Sequence, residues 1–171
     1  GYAHLQLGLL YALLGNYVKA ERSCRVAVDL QERFLSGKEG LQIVGAHTRL
    51  GYIYYLQGRY PEAIKRYEHE VAALAASEHA LRERSLIELH VKLAATYHKM
   101  ERPTAANRHC TEAVTRFERR VARGADDPAT KYYIASLYGL RGDAEKAVRY
   151  LRESLAELPA LNRARAKADP D

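Results

Sequence analysis

Three histidines, His4, His47 and His90, stand 43 residues apart in this chain of 171. Imidazole nitrogens bind zinc-class metals and titrate near neutral pH, so the series raises two chemistries, a metal centre and a protonation switch. The ligands of one ion must each lie about 2 Å from it. If the interval marks a stacked helical repeat, successive members are separated by roughly two helix widths of about 10 Å each. The column therefore cannot share an ion, and its members are expected to be half-buried packing residues with a polar tip. A lesser consequence is a stack that loosens in acid, because burying an imidazolium is costly.

Cys24 and Cys110 are the chain's two cysteines. They are two repeats apart, too far for a disulfide that needs α-carbons within about 7 Å, and are expected to be buried, reduced thiols, as in a cytoplasmic protein. His109 precedes Cys110, but neighbours on a helix point to different sides, so they do not make a nucleophile and its base. Glu68 and Glu70 flank His69 on a predicted helix, an arrangement that fits a solvated surface. Glu70 nonetheless interrupts a column otherwise filled by Ala27, Ala113 and Ser154; it either reaches the surface or pairs with a base such as Arg49. No HExxH, phosphate-binding loop, GxSxG or CxxC pattern occurs. The expectation is a chain with no catalytic residues, no cofactor and no metal site.

Behind these residues stands a helix-forming composition: 47% hydrophobic and 28% charged residues, with 5 prolines and 11 glycines. A net charge of +6 invites a polyanion. Its densest stretch, with Arg108, Arg116, Arg119 and Arg120 on one helix, fits a solvated face better than a phosphate-binding stripe. Residues 1–18 carry no Asp, Glu, Lys or Arg, yet Gln6, His4, Asn16 and three glycines and the lack of a preceding basic segment fit neither a membrane span nor a signal sequence.

The organisation is a repeat. Gly8, Gly51, Ala94 and Ala135 recur at intervals of 43, 43 and 41 residues, and around them fall columns of Tyr11, Tyr54, Tyr97 and Tyr138, of Gly15, Gly58, Glu101 and Gly142, and of Ala20, Ala63, Ala106 and Ala147. The first column lets a partner helix approach closely. Tyrosine fills the volume one turn on, its hydroxyl wet at the edge. The glycines end a helix in the left-handed conformation. Pro61, Asp127, Pro128 and Asp143 suit the start of the next helix. Breaks are expected at 35–40, 77–80 and 123–128.

This pattern closely resembles the tetratricopeptide repeat family, in a form about nine residues longer than the usual 34 and without most of the repeat-end prolines. Repeats of that length resemble those of kinesin light chains and of regulatory arms in bacterial signalling ATPases and transcription activators. The resemblance implies an all-α fold, a right-handed α-solenoid of four antiparallel helical hairpins, with repeats near 1–40, 41–79, 80–126 and 127–159 and a cap or tail at 160–171. It also implies a concave groove. Position by position, the family's groove-facing sites fall on Tyr2, Leu5 and Leu9, on Thr48, Tyr52 and Tyr55, on Glu88, Val91, Ala95, His98 and Lys99, and on Tyr132 and Ser136, with Arg49 and Lys92 at the edge. The Lys and Asn clamp for carboxylate termini is absent.

Three functions follow as expectations. The first is a non-catalytic scaffold holding a protein or peptide in the groove. The alternative is a ligand-sensing regulatory segment of a larger signalling ATPase, kinase or transcription regulator, and a basic nucleic-acid binder ranks behind both. The uncharged first helix also predicts self-association, or cover by a preceding repeat, because an end helix should be polar outside.

Overall fold

The computed structural model describes residues 1–35, 45–157 and 167. Among these residues there are eight helices and no strand: α1 (Tyr2–Leu13), α2 (Tyr17–Leu35), α3 (Ala46–Leu56), α4 (Tyr60–Ala75), α5 (Arg82–Lys99), α6 (Pro103–Ala122), α7 (Pro128–Leu140) and α8 (Ala144–Glu157). The expected break at 77–80 is non-helical, and that at 123–128 is non-helical through 127, Pro128 being the first residue of α7. The break placed at 36–40 lies outside the described residues, as do Pro159 and most of the expected cap, including Asn162, Arg163 and Arg165.

The chain forms two compact units, Gly1–Arg82 and Glu83–Asp171. In the first, α1 packs on α2 and α3 on α4, while α2 and α1 both meet α3, so one hairpin is stacked on the next. In the second, Val91 and Ala94 of α5, Cys110 and Ala113 of α6, and Tyr132, Tyr133 and Leu137 of α7 share one apolar cluster, against which Leu151 of α8 packs. A further cluster joins Ile87, Phe117, Ile134 and Tyr138, with Tyr150 packed against it.

Each first helix stops in the same way. Gly15, Gly58 and Gly142 have φ of 72°, 72° and 74°, and Glu101 joins them at 55°. The residue after each returns its N–H to the carbonyl of the tyrosine column: Asn16 to Tyr11 at 2.8 Å, Arg59 to Tyr54 at 2.9 Å, Arg102 to Tyr97 at 2.9 Å and Asp143 to Tyr138 at 3.0 Å. The left-handed residue itself donates to the carbonyl three before it, as Gly15 does to Ala12 and Glu101 to His98. This double closure is the Schellman motif, and it explains why tyrosine and glycine keep a fixed offset in all four copies. Glu101 alone carries a Cβ into that conformation, which costs about 1–2 kcal/mol relative to right-handed backbone. Glu101→Gly is therefore expected to stabilise the chain by about 0.5–1 kcal/mol after the extra freedom of glycine in the unfolded chain is subtracted. Urea unfolding midpoints read this, and a lower midpoint in the variant would contradict it.

Several helices also begin as their sequences direct. Asp127 accepts the N–H of Thr130 at 3.0 Å ahead of α7, Asp143 accepts that of Lys146 at 3.1 Å ahead of α8, and prolines occupy the first turns of α4, α6 and α7.

Candidate functional site

The first-helix positions assigned to a groove divide by depth. In unit one, Leu5, Thr48 and Tyr55 are buried, Leu9, Arg49 and Tyr52 are half-buried, and Tyr2 is 75% exposed. The Tyr52 and Tyr55 rings stack at 6.4 Å, and Tyr55 leans on Tyr60 at 5.6 Å. In unit two, Val91, Ala95 and Tyr132 are buried, Glu88, Lys92 and Ser136 are half-buried, and His98 and Lys99 are exposed. Lys92 lies 3.9 Å from Glu88 and rests over the Tyr133 ring at 5.6 Å. The Ser136 hydroxyl is turned back onto the carbonyl of Tyr132. Of these positions, Tyr2, Leu9, Arg49 and Tyr52 in one unit, and Glu88, Lys92, His98, Lys99 and Ser136 in the other, keep some exposure, whereas Val91 and Tyr132 are buried.

Both thiols are buried and free. Burial pushes Cys24 up to about 11 despite the nearby Arg49 charge, and raises Cys110 as well. Neither is a thiolate nucleophile near neutral pH.

Glu70 requires a correction. It neither reaches solvent nor pairs with Arg49: its side chain is fully buried and accepts the N–H of Gly45 at 2.8 Å, the N–H of His47 at 3.1 Å and the amide of Gln31 at 3.1 and 3.2 Å. Gln31 in turn accepts the N–H of Ala46 at 2.9 Å. Two side chains from α2 and α4 thereby satisfy three free donors at the start of α3, where Gly45 has no side chain to cap with. A signal for Gln31 exists in the sequence: it too breaks an apolar column, shared with Leu74 and Phe117, four residues after the column that Glu70 breaks.

The histidine column also departs from expectation. His4 is half-buried, but His47 and His90 are buried. His90 Nδ1 lies 3.0 Å from His109 Nδ1, and the His109 ring stacks on Tyr97 at 5.5 Å and 5°. His109, placed beside Cys110 by sequence, belongs instead to this buried pair. Nor is the tyrosine column uniformly wet, because the Tyr54 hydroxyl donates to Glu21 and accepts from Arg25.

The pair sets a pH dependence. Burial, the neighbouring His90 and Arg108 hold His109 down to about 4, with Glu112 opposing; burial, Arg116 and Arg108 lower His90, again against Glu112. Because the folded values lie below the unfolded value near 6.5, the unfolded chain binds more protons in the interval between them. Stability present above pH 6.5 is therefore lost as pH falls toward 4, with a slope of about 1.4 kcal/mol per pH unit for each proton taken up. Chemical denaturation across this range should show that slope, flattened in a His90→Phe/His109→Phe double variant. An equal slope in both would refute it.

Of the arginine stripe, Arg116 pairs with Glu112 at 2.7 Å and Glu83 at 2.9 Å, and Arg120 with Asp127 at 3.0 Å. These charges are partly neutralised. No helix among the described residues is long and apolar enough to cross a membrane.

The tetratricopeptide repeat family model matches residues 2–81. Two crystal structures of nearly identical TPR-like repeats, from a Podosopora anserina protein assigned as a kinesin light chain, align at 21% identity, each with a TM-score of 0.42. They cover 99% of this chain and 96% and 97% of their own lengths; one of them carries a point substitution. No curated protein matches the chain.

Proposed function

We propose that this chain is a scaffold that binds a peptide or partner helix on its first-helix faces; its residues 2–81 match the model of the tetratricopeptide repeat family, whose repeats generally mediate protein–protein interaction and are typically non-catalytic. The observation that carries this reading is the half-exposed Tyr52 and Arg49 on α3 of unit one; in unit two, taken by itself, α5 carries half-exposed Glu88 and Lys92. Tyrosine offers a large contact area with little rotamer entropy to lose, and the buried layer beneath keeps it in place. A wall already ordered spares a ligand much of the ordering cost. The ion pairs of Arg116 and Arg120 weigh against nucleic acid as the ligand.

The test is a peptide-display selection on the whole chain, repeated with Tyr52→Ala and with Lys99→Ala, neither of which is buried. Enrichment that falls in Tyr52→Ala supports the surface, and enrichment equal in all three proteins removes it. A second contact surface belongs to the same proposal: the first helix, whose exposed Leu7, Leu10 and Leu13, at 42%, 52% and 49% exposure, supply the apolar side chains for self-association. Light scattering that finds only monomer at high concentration would exclude that part.

A further inference from the structure

Stacking of the first hairpin on the second brings together three side chains that no repeat column joins. Glu32 is in the last turns of α2, His47 in the first turn of α3 and His69 in the third turn of α4. One ligand-capable atom from each lies within 4.8 Å of the other two. His47 Nε2 and Glu32 Oε1 are 3.4 Å apart, and the His47 and His69 rings have centroids 4.0 Å apart with a tilt of 32°.

His47 supplies the reason to read this as a site. Its side chain is fully buried, yet among the described residues Nε2 has no hydrogen-bond partner. A buried polar atom without a partner is uncommon and calls for an explanation. Around it stand the Glu32 carboxylate, the Glu70 carboxylate on the His47 backbone N–H, and the Arg66 guanidinium, whose Nη1 is 3.5 Å from the other ring nitrogen, Nδ1. That guanidinium thus sits at the opposite nitrogen from the one without a hydrogen bond.

We propose that Glu32, His47 and His69 form a three-ligand site for a divalent transition metal of the zinc class. Two imidazoles and a carboxylate suit zinc, whereas calcium and magnesium require all-oxygen sets. Bonds of about 2.0–2.1 Å in a tetrahedron set neighbouring ligand atoms about 3.3 Å apart. The His47 and Glu32 pair already has that separation. His69 is exposed, so its ring can swing the remaining distance without disturbing the core. Three protein ligands leave a fourth position open to water or to a side chain of a bound protein. The ion would tie α2 of one hairpin to α3 and α4 of the next and stabilise unit one by mass action.

The experiment titrates the metal-stripped whole chain with zinc near neutral pH by calorimetry and thermal unfolding, and with cobalt(II) by visible absorption. The expected result is one saturable ion per chain, a raised melting temperature and the intense cobalt bands of a tetrahedral centre. His69→Gln and Glu32→Gln replace exposed ligands, so the fold is kept, and each should weaken zinc about tenfold or more; His4→Gln, a half-buried histidine on α1 outside the cluster, should bind as the parent does. Absence of saturable binding, or equal affinity in the parent and His69→Gln, overturns the proposal.

Discussion

Glu70→Ala is expected to destabilise the chain by about 4 kcal/mol. The carboxylate is at 0% exposure and serves the N–H groups of Gly45 and His47 and the Gln31 amide. Alanine would strand those donors in the interior, and each unsatisfied buried donor costs about 1–3 kcal/mol. The lost negative charge matters too, since it lies at the positive end of the α3 dipole. Glu70→Gln should fall between, at about 2 kcal/mol, because one carboxamide atom is then a donor facing donors. Urea unfolding of the three proteins reads the series. A cost below about 1 kcal/mol for alanine would mean that another group takes over the acceptor role.

Gly51→Val should cost about 3 kcal/mol, at the upper end of what overpacking a core produces. A Cβ at Gly51 would stand 2.5 and 2.8 Å from two carbons of the Tyr67 ring and 3.2 Å from the backbone oxygen of Ala63. Tyr67 is 1% exposed and cannot turn aside, and the oxygen belongs to the facing helix. Valine adds two more carbons in the same place. Helix propensity alone forecasts the reverse sign, since glycine is the poorer helix former by about 1 kcal/mol relative to alanine. Gly139 supplies the contrast: among the described residues a Cβ there meets nothing within 4 Å, so Gly139→Ala should gain about 0.5–1 kcal/mol. Opposite shifts in the two melting temperatures would establish that contact, not propensity, keeps glycine at 51.

What was legible in the sequence is what each hairpin repeats. Gly8 and Gly51 were readable as points of close approach, and a Cβ at Gly8 would indeed collide with Cys24. Gly15, Gly58 and Gly142 were readable as helix stops because only a left-handed residue closes that motif cheaply, and Glu101 followed them despite its side chain. Glu70 was visible as an irregularity, but its partners were not. Two of them are backbone N–H groups, which carry no signature in residue type, and the third, Gln31, lies on another hairpin. The His90 and His109 pairing was hidden for a similar reason, as it joins two different columns across a hairpin. Positions carried over by register give a direction but not a depth: Val91 and Tyr132 are buried while Lys99 is exposed.

The borrowed cap of α3 bears on how unit one opens. Helix ends ordinarily fray, and their first amides trade protons with solvent through small local excursions. The amides of Gly45, Ala46 and His47 are fastened to side chains of α2 and α4, so releasing them requires both neighbours to move away. They should exchange as slowly as amides in the middle of α3, making the beginning of that helix a reporter of the unit's cooperative unfolding.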